Sequence, residues 1–446
     1  MYHPHTKSDR EEMLKAIGRK TVDELFDAVP ESLRFPELNL PAGLTEMEAW
    51  DEVYAYSCMN ELSTRMSNFL GAGAYRHYVP AAVDFILRRG EFYTAYTPYQ
   101  PEISQGTLQV IFEYQSHVVN LTGMDVSNAS HYDGATAAAE AVNMARNIFR
   151  GKRLKAILSP GLHPHYRQTI DTFIKPANVE IFGGDIDPAL GPEALIELID
   201  QDTAVVVVQY PDFFGRIYDY SALAKAVHEA GALLAVSVNP TALGMLKSPG
   251  EFGADIVSGE GQPLGIPVSF GGPYLGMLAT KNEYVRNLAG RLVGETEDVT
   301  GKRGYVLTLS TREQHIRRER ASSNICTNQG LMALAATVYL TLLGKEGLRE
   351  VAELCYHQAH YAADQIAGLD GFEMWSDQPF FHEFVIKCPK PAAEVNAALL
   401  EHNIIGGYEV GRDYEGMDNY LMFAVTEAVR KDEIDRLVEA LAEVTK

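Results

Sequence analysis

The sequence is poor in cysteine, tryptophan and positive charge. Its 446 residues include four cysteines, two tryptophans, and 38 Lys plus Arg against 60 Asp plus Glu. Cys58, Cys326, Cys355 and Cys388 are far apart, and none forms a Cys-x-x-Cys pair. Such spacing excludes a zinc ribbon and a disulfide framework, and buried, reduced thiols are expected. His163-Pro164-His165 offers two imidazoles without a third ligand nearby, so no metal site is expected. The net charge of −22 repels nucleic acid and anionic lipid, which excludes both as expected partners. A protein partner with a basic face is permitted. The longest apolar stretch, 331–343, is short of the ~20 residues that cross a bilayer. The first twenty residues are polar and charged with no apolar core, so no export signal is expected and the chain reads as cytoplasmic.

What is present is a regular α/β pattern behind an irregular arm. Thr21-Val22-Asp23-Glu24-Leu25-Phe26 looks like a capped helix start, and Pro30, Pro36 and Pro41 then break the chain. Residues 1–60 therefore read as a helical and extended arm that buries little by itself and suits a wrap onto another subunit. From about Glu113, helix and strand alternate every ~10–15 residues, the mark of a parallel sheet. Asp133-Gly134-Ala135 opens an alanine-rich helix, and 192–200 is expected to be another with proline near its start. Val205, Val206, Val207 and Val208 form a run suited to a strand buried on both faces. Ligands of such sheets sit at the carboxyl ends of the strands, which directs attention to the loops after Val238 and Ser258. A helix over 330–343 leads to a smaller α+β region. Its last helix lines up Ile434, Leu437, Val438, Leu441 and Val444 on one face. The expected domains are the arm 1–60, a large domain 61–330 and a small domain 331–446.

Three stretches carry a resemblance. The first is Phe69-Leu70-Gly71-Ala72-Gly73-Ala74-Tyr75-Arg76-His77-Tyr78-Val79-Pro80. The second is Tyr93-Thr94-Ala95-Tyr96-Thr97-Pro98-Tyr99-Gln100-Pro101-Glu102-Ile103-Ser104-Gln105-Gly106. The third is Ser310-Thr311-Arg312-Glu313-Gln314-His315-Ile316-Arg317-Arg318-Glu319-Arg320, continuing to Ser323-Asn324-Ile325-Cys326-Thr327-Asn328-Gln329. Together they resemble the glycine decarboxylase family, the P-protein of the glycine cleavage system. Their order and the chain length match subunit 1 of bacteria whose P-protein is split into two chains. The resemblance implies the aspartate-aminotransferase-like fold (fold type I) of pyridoxal-phosphate transferases. It implies decarboxylation of glycine on pyridoxal phosphate, with the aminomethyl group passing to the lipoyl arm (lipoamide) of H-protein. It also implies a partner, subunit 2, in a heterodimer or an α2β2 heterotetramer.

Pyridoxal-phosphate chemistry needs an amine for the aldehyde and a carboxylate beside the pyridine nitrogen. In the family's catalytic subunit the lysine follows a histidine, shortly before a glycine-rich stretch. The corresponding segment here is Ser258-Gly259-Glu260-Gly261-Gln262-Pro263, running on to Gly271-Gly272-Pro273. The resemblance places Gln262 at the lysine position, and an amide nitrogen forms no aldimine. Ser237 falls near the position of the aspartate, and no acid lies between Gly231 and Ser248. At the start of the alanine-rich helix, Asp133 is expected to cap the amides and to compete with a phosphate. Lys247 and Lys281 are the nearest substitute amines, and both read as solvated surface lysines. The chain is thus expected to hold no cofactor covalently and to be catalytically silent alone, with pyridoxal phosphate in the partner. Two rival readings are a self-sufficient enzyme using Lys247 and a free-standing binding protein.

A silent subunit can still complete its neighbour's site. Pro98 and Pro101 forbid a regular helix through the tyrosine-rich stretch, so Tyr93, Tyr96 and Tyr99 are expected in an extended loop. With Thr97, Gln100, Glu102 and Ser104 they can present short-range polar contacts to glycine in the partner's active site. Arg312, Arg317, Arg318 and Arg320 are expected on a helix with a Glu313–Arg317 pair; the alternative is a basic run that attracts the phosphate of the partner's cofactor or an acidic face of H-protein. The hydroxyl-rich turn after them, with Ser323, Asn324 and Thr327, is a candidate contact to the partner's cofactor phosphate.

Overall fold

The computed structural model describes residues 4–60 and 66–444. It divides into a unit within Met1–Glu61 and a unit within Leu62–Lys446.

In the first unit, Thr6 and Thr45 each close a capping box ahead of the helices Lys7–Ala16 and Glu46–Cys58. Their hydroxyls accept from the Asp9 and Glu48 amides, and those carboxylates accept from the threonine amides in return. Between the helices lie single 3₁₀ turns, Asp23–Phe26 and Glu31–Leu33. The helix expected from Thr21 is no more than the first of these. Leu14 is the one buried residue among those described in this unit.

The second unit is built on seven strands: β1 Val126–Ser127, β2 Lys155–Leu158, β3 Glu180–Phe182, β4 Thr203–Tyr210, β5 Leu233–Val238, β6 Ile256–Glu260 and β7 Gly276–Thr280. Their spatial order is β1-β7-β6-β5-β4-β2-β3. β2 through β6 pair in parallel, while β7 and β1 join antiparallel. Alternation sorts the side chains onto two faces. Val206, Val208, Leu234 and Val236 enter one core, and Val205, Val207, Leu233 and Ala235 the other. Each large aliphatic group so buried contributes about 1.5–3 kcal/mol over exposure. The helix Gly134–Ile148 lies on the second face through Ala138, Ala141, Val142 and Ala145. Glycine is needed at its first position. A Cβ on Gly134 would stand 2.3 Å from the Tyr166 hydroxyl and 2.9 Å from the Glu260 amide nitrogen.

Toward the C-terminus, Glu373–Met374, Glu383–Lys387, Tyr420–Ala424 and Tyr408–Glu409 form an antiparallel sheet in that order. Phe384, Ile386, Leu421 and Phe423 meet Ile434, Leu437 and Leu441 of the helix Lys431–Val444 in a separate core.

Further expectations change. The helix expected over 330–343 runs from Gly330 to Ala367, with a break at Gly344, where φ is 60°. By length and apolar composition this helix would suffice to cross a membrane. Its Ala333, Ala336 and Tyr339 instead enter the large core, and Ala359, Ala362 and Ile366 the small one. The helix expected over 192–200 shrinks to Glu193–Ile196, because the next residues turn with three-residue bonds and the Lys155 ammonium takes the Leu198 carbonyl at 2.6 Å. The arginine run is not one helix. It is three single turns, Ser310–Arg312, Gln314–Arg317 and Arg318–Arg320, with positive φ at Leu309 and Arg318. The Glu313–Arg317 pair gives way to Glu313 facing Arg291 at 3.9 Å and His315 at 3.7 Å. Finally, Cys58 and Cys326 are exposed, and only Cys355 and Cys388 are buried.

Candidate functional site

β3 flanks β2 on one side and β4 on the other, so the chain changes direction between β2 and β4. That is where ligand crevices of open α/β sheets open. Here the crevice is nearly closed. A cavity of about 30 Å³ remains among Tyr75, His163, Gln209, Ser237, Asn239 and Glu260, room for little more than a water.

Gln262 is fully buried, and its amide is saturated. Its Oε1 accepts from the Tyr75 amide at 2.8 Å, and its Nε2 donates to the carbonyls of Tyr75 at 2.9 Å and Ile266 at 2.7 Å. The first of the three characteristic stretches is thereby laid across Gln262. Ser237, next to the carboxyl end of β5 and paired between Gln209 and Ser258, is also buried.

Glu260 is a residue that sequence reasoning quoted but did not single out. At the end of β6, its Oε2 accepts from the Gly134 amide at 2.9 Å, while Oε1 accepts from Gln262 and Leu275 at 2.9 and 3.0 Å. Burial pushes its carboxyl up to about 7 against these three amides, which pull it down. Asp133 caps the same helix, as expected, accepting from the Thr136 amide at 2.7 Å. Two of the free amides of this helix terminus, the natural seat for a phosphate, are therefore already bound to the chain's own carboxylates. The residues present do not fit pyridoxal phosphate: the aldehyde finds an amide, the anion seat holds carboxylates, and the crevice lacks volume. The signal in sequence was an acid two residues before Gln262, legible only once the helix start was known to lie against it.

Other groups tie this region down. The Tyr75 hydroxyl donates to Glu383 Oε2 at 2.8 Å, and Glu383 Oε1 accepts from the Ala72 amide at 2.8 Å. Burial pushes Glu383 up to about 7. His163 has a structural setting, as expected. Its Nδ1 accepts from the His165 amide at 3.1 Å, which leaves Nε2–H to donate to the Ala72 carbonyl at 2.8 Å. Burial lowers it to about 4. His77, Cys355 and Glu427, not linked to one another in the sequence, each bring a side-chain ligand atom within 4.8 Å of the others. His77 Nδ1 and Glu427 Oε2 share a 2.7 Å hydrogen bond, and Cys355 Sγ donates to the same oxygen at 3.3 Å.

Neither substitute lysine reaches the crevice. Lys247 is exposed and acts electrostatically on Asp219 and Glu251. Lys281, expected to be solvated, is instead part-buried and paired with Asp255, which also accepts from His228 Nε2 at 2.9 Å and the Leu234 amide at 2.8 Å. A buried carboxylate demands such partners.

The remaining sequence candidates gather elsewhere in this unit. Tyr93 ends a one-turn helix, Gly90–Tyr93, so the irregular loop begins after it, where no proline has yet intervened. Tyr93, Tyr96, Tyr99, Gln100 and Glu102 are exposed, and Thr97 and Ser104 half-buried. Tyr96 and Thr97 form one wall of a cleft of about 320 Å³, and Thr327, Asn328 and Gln329 form part of the other. Ser323 is occupied within the chain: its hydroxyl donates to Glu140 at 2.8 Å and accepts from the Ile325 amide at 3.0 Å. Asn324 is exposed.

A family model described as the glycine cleavage system P-protein matches residues 1–441. The chain belongs to this P-protein family. It is 54% identical, over all of both chains, to a protein of Thermomicrobium roseum named probable glycine dehydrogenase (decarboxylating) subunit 1. Among solved structures, a glycine decarboxylase (P-protein) of the glycine cleavage system in inhibitor-bound form superposes with a TM-score of 0.93 at 41% identity, both chains fully covered. Lactobacillus brevis glutamate decarboxylase superposes with a TM-score of 0.70 at 14% identity, over 95% of this chain and 98% of that one. That second likeness shows fold alone. The fold of this P-protein chain is thus the fold type I of pyridoxal-phosphate enzymes, as the resemblance implied.

Proposed function

We propose that this P-protein chain is the non-catalytic subunit of a two-chain glycine decarboxylase. Subunit 2 then carries pyridoxal phosphate, decarboxylates glycine and passes the aminomethyl group to the lipoyl arm of H-protein. The observation that carries this reading is Gln262, buried and bonded through every polar atom of its amide, with Glu260 beside it on the Gly134 amide. Such a site offers neither a reactive amine nor an anion seat.

The chain's contribution is then structural and reaches across a subunit interface. Tyr93, Tyr96, Thr97, Tyr99, Gln100, Glu102 and Ser104 are proposed to face the partner's substrate, and Asn324 and Thr327 its cofactor phosphate. Ser323 supports that turn through Glu140. The arm is proposed to wrap onto subunit 2, because Met47, Trp50 and Tyr54 form an exposed apolar stripe at helical spacing. The separate cores support a division into a large and a small domain, with the change inside the helix Gly330–Ala367 and not at 330: Ala336 and Tyr339 belong to the large core, Ala359 and Ile366 to the small one. Location in the cytoplasm and assembly as αβ or α2β2 belong to the same proposal.

Glycine–carbon dioxide exchange tests it, measured for this chain, for subunit 2 and for their mixture, each with lipoylated H-protein and pyridoxal phosphate. Activity in the mixture alone is expected. Exchange catalysed by this chain by itself would overturn the proposal.

A further inference from the structure

Arg291 has no part in the reading of the sequence, yet it is the node on which both walls of the 320 Å³ cleft hang. It precedes the strand Leu292–Glu297, and its carbonyl accepts from the Ala129 amide at 2.9 Å, which anchors its backbone. The side chain is 4% exposed. One terminal nitrogen donates to Thr327 Oγ1 at 3.1 Å and Asn328 Oδ1 at 2.8 Å. The other donates to the Cys326 carbonyl at 2.9 Å and, at 3.5 Å, to the Tyr99 hydroxyl. The guanidinium also lies 5.6 Å from the centre of the Tyr99 ring, which His315 meets edge-on at 5.8 Å. Among the described residues, its Nε has no hydrogen-bond partner, and the Glu313 carboxylate stands 3.9 Å away. Burying a cation carries a desolvation cost, which the four hydrogen bonds it donates offset. What it holds is the tyrosine loop and the 326–328 turn, two segments otherwise far apart in sequence. Among the described residues, the other hydrogen bonds of residues 94–100 are local, such as the Tyr99 amide to the Thr97 carbonyl at 2.9 Å and the Thr94 hydroxyl to the Gly90 carbonyl at 2.7 Å.

We propose that Arg291 is a positioning residue for the glycine reaction: its planar fork sets the tyrosine loop and the 326–328 turn at the spacing at which they complete the partner's active site. The inference rests on the reading above, in which those segments face subunit 2. A lysine reaches less far and offers a point charge instead of a fork, so it cannot serve both segments. Misplacing a substrate contact by about 1 Å is enough to cost as much as 100-fold in rate.

The test uses the reconstituted two-chain enzyme with H-protein. Arg291→Met is expected to raise KM for glycine at least tenfold, and Arg291→Lys by an intermediate factor. The cofactor absorbance of subunit 2 and the mass of the complex are expected to stay as in the wild type. Tyr99→Phe keeps the ring over the guanidinium and loses only the long hydroxyl bond, so a change below threefold is expected. Should Arg291→Met fail to fold, the double variant Thr327→Val with Asn328→Ala releases the turn from the arginine and is expected to raise KM threefold or more. An assembled Arg291→Met enzyme with wild-type KM and kcat overturns the inference, as does an unchanged KM in the double variant. Either result is separate from failure of the underlying reading, which would appear as activity of the wild-type chain without subunit 2.

Discussion

The crevice at the carboxyl ends of the sheet and the arm at the N-terminus are opposites. In the crevice, side chains are bonded to one another until almost no space is left: Gln262 to Tyr75 and Ile266, Glu260 to three amides, Glu383 to Ala72 and Tyr75. In the arm, apolar groups stand in solvent, with Trp50 73% exposed. A self-sufficient enzyme shows the reverse, an open crevice lined with reactive groups and a covered apolar surface. The difference teaches where selection has left this chain something to do. Its interior is spent on holding shape, and its unsatisfied surface is available for another protein.

That contrast can be broken at either end. The largest effect is expected in the arm. Met47→Asp with Trp50→Asp places two charges on the apolar stripe, and affinity for subunit 2 measured by titration calorimetry is expected to fall at least tenfold. Retained affinity would mean that the stripe faces something else. In the crevice, Gln262→Ala leaves the Tyr75 amide and two carbonyls without partners, and a loss of about 2–4 kcal/mol in denaturant unfolding is expected. Gln262→Lys is expected to create no aldimine absorbance, because Glu260 still holds the Gly134 amide.

A smaller effect concerns pH. Glu383 titrates near 7 in the folded chain against its ordinary 4.5. The folded state therefore binds that proton more tightly, and the stability it adds is complete below about 4.5 and lost as pH rises through about 7. Gln in its place keeps the bond from the Ala72 amide and reverses the one to Tyr75, whose hydroxyl then accepts from the amide nitrogen. Glu383→Gln is thus expected to flatten the fall in stability between pH 4.5 and 7 by up to about 3 kcal/mol. An unaltered slope would show that the carboxyl is ionised throughout. The smallest effect is expected at Lys247, whose exposed side chain can be replaced by alanine with a change within about 0.5 kcal/mol and no loss of exchange activity in the two-chain enzyme.

Much of this was legible in the sequence. The valine run and the strand–helix alternation announce the parallel sheet because burial on both faces leaves a compositional trace. Asp133 announces its cap because capping depends on immediate neighbours. What stayed hidden depends on contacts between distant residues. Glu260 reads as an unremarkable acid until β6 is laid against the start of Gly134–Ile148. Arg291 reads as one more basic residue until Tyr99 and Thr327 arrive from 192 and 36 positions away. Lys281 was misread as solvated because its partner, Asp255, belongs to another strand end. The arginine run was misread as a helix because the left-handed residues Leu309 and Arg318 have no compositional signature.

One measurement reaches the central claim most directly. The purified chain, without subunit 2, is mixed with an equal concentration of pyridoxal phosphate, reduced with borohydride, and weighed by mass spectrometry before and after digestion. The unmodified mass is expected, with no adduct on any peptide of the crevice. A stoichiometric phosphopyridoxyl group on a single lysine, Lys247 or any other, would show that this chain captures the aldehyde itself and would contradict its assignment as the silent subunit.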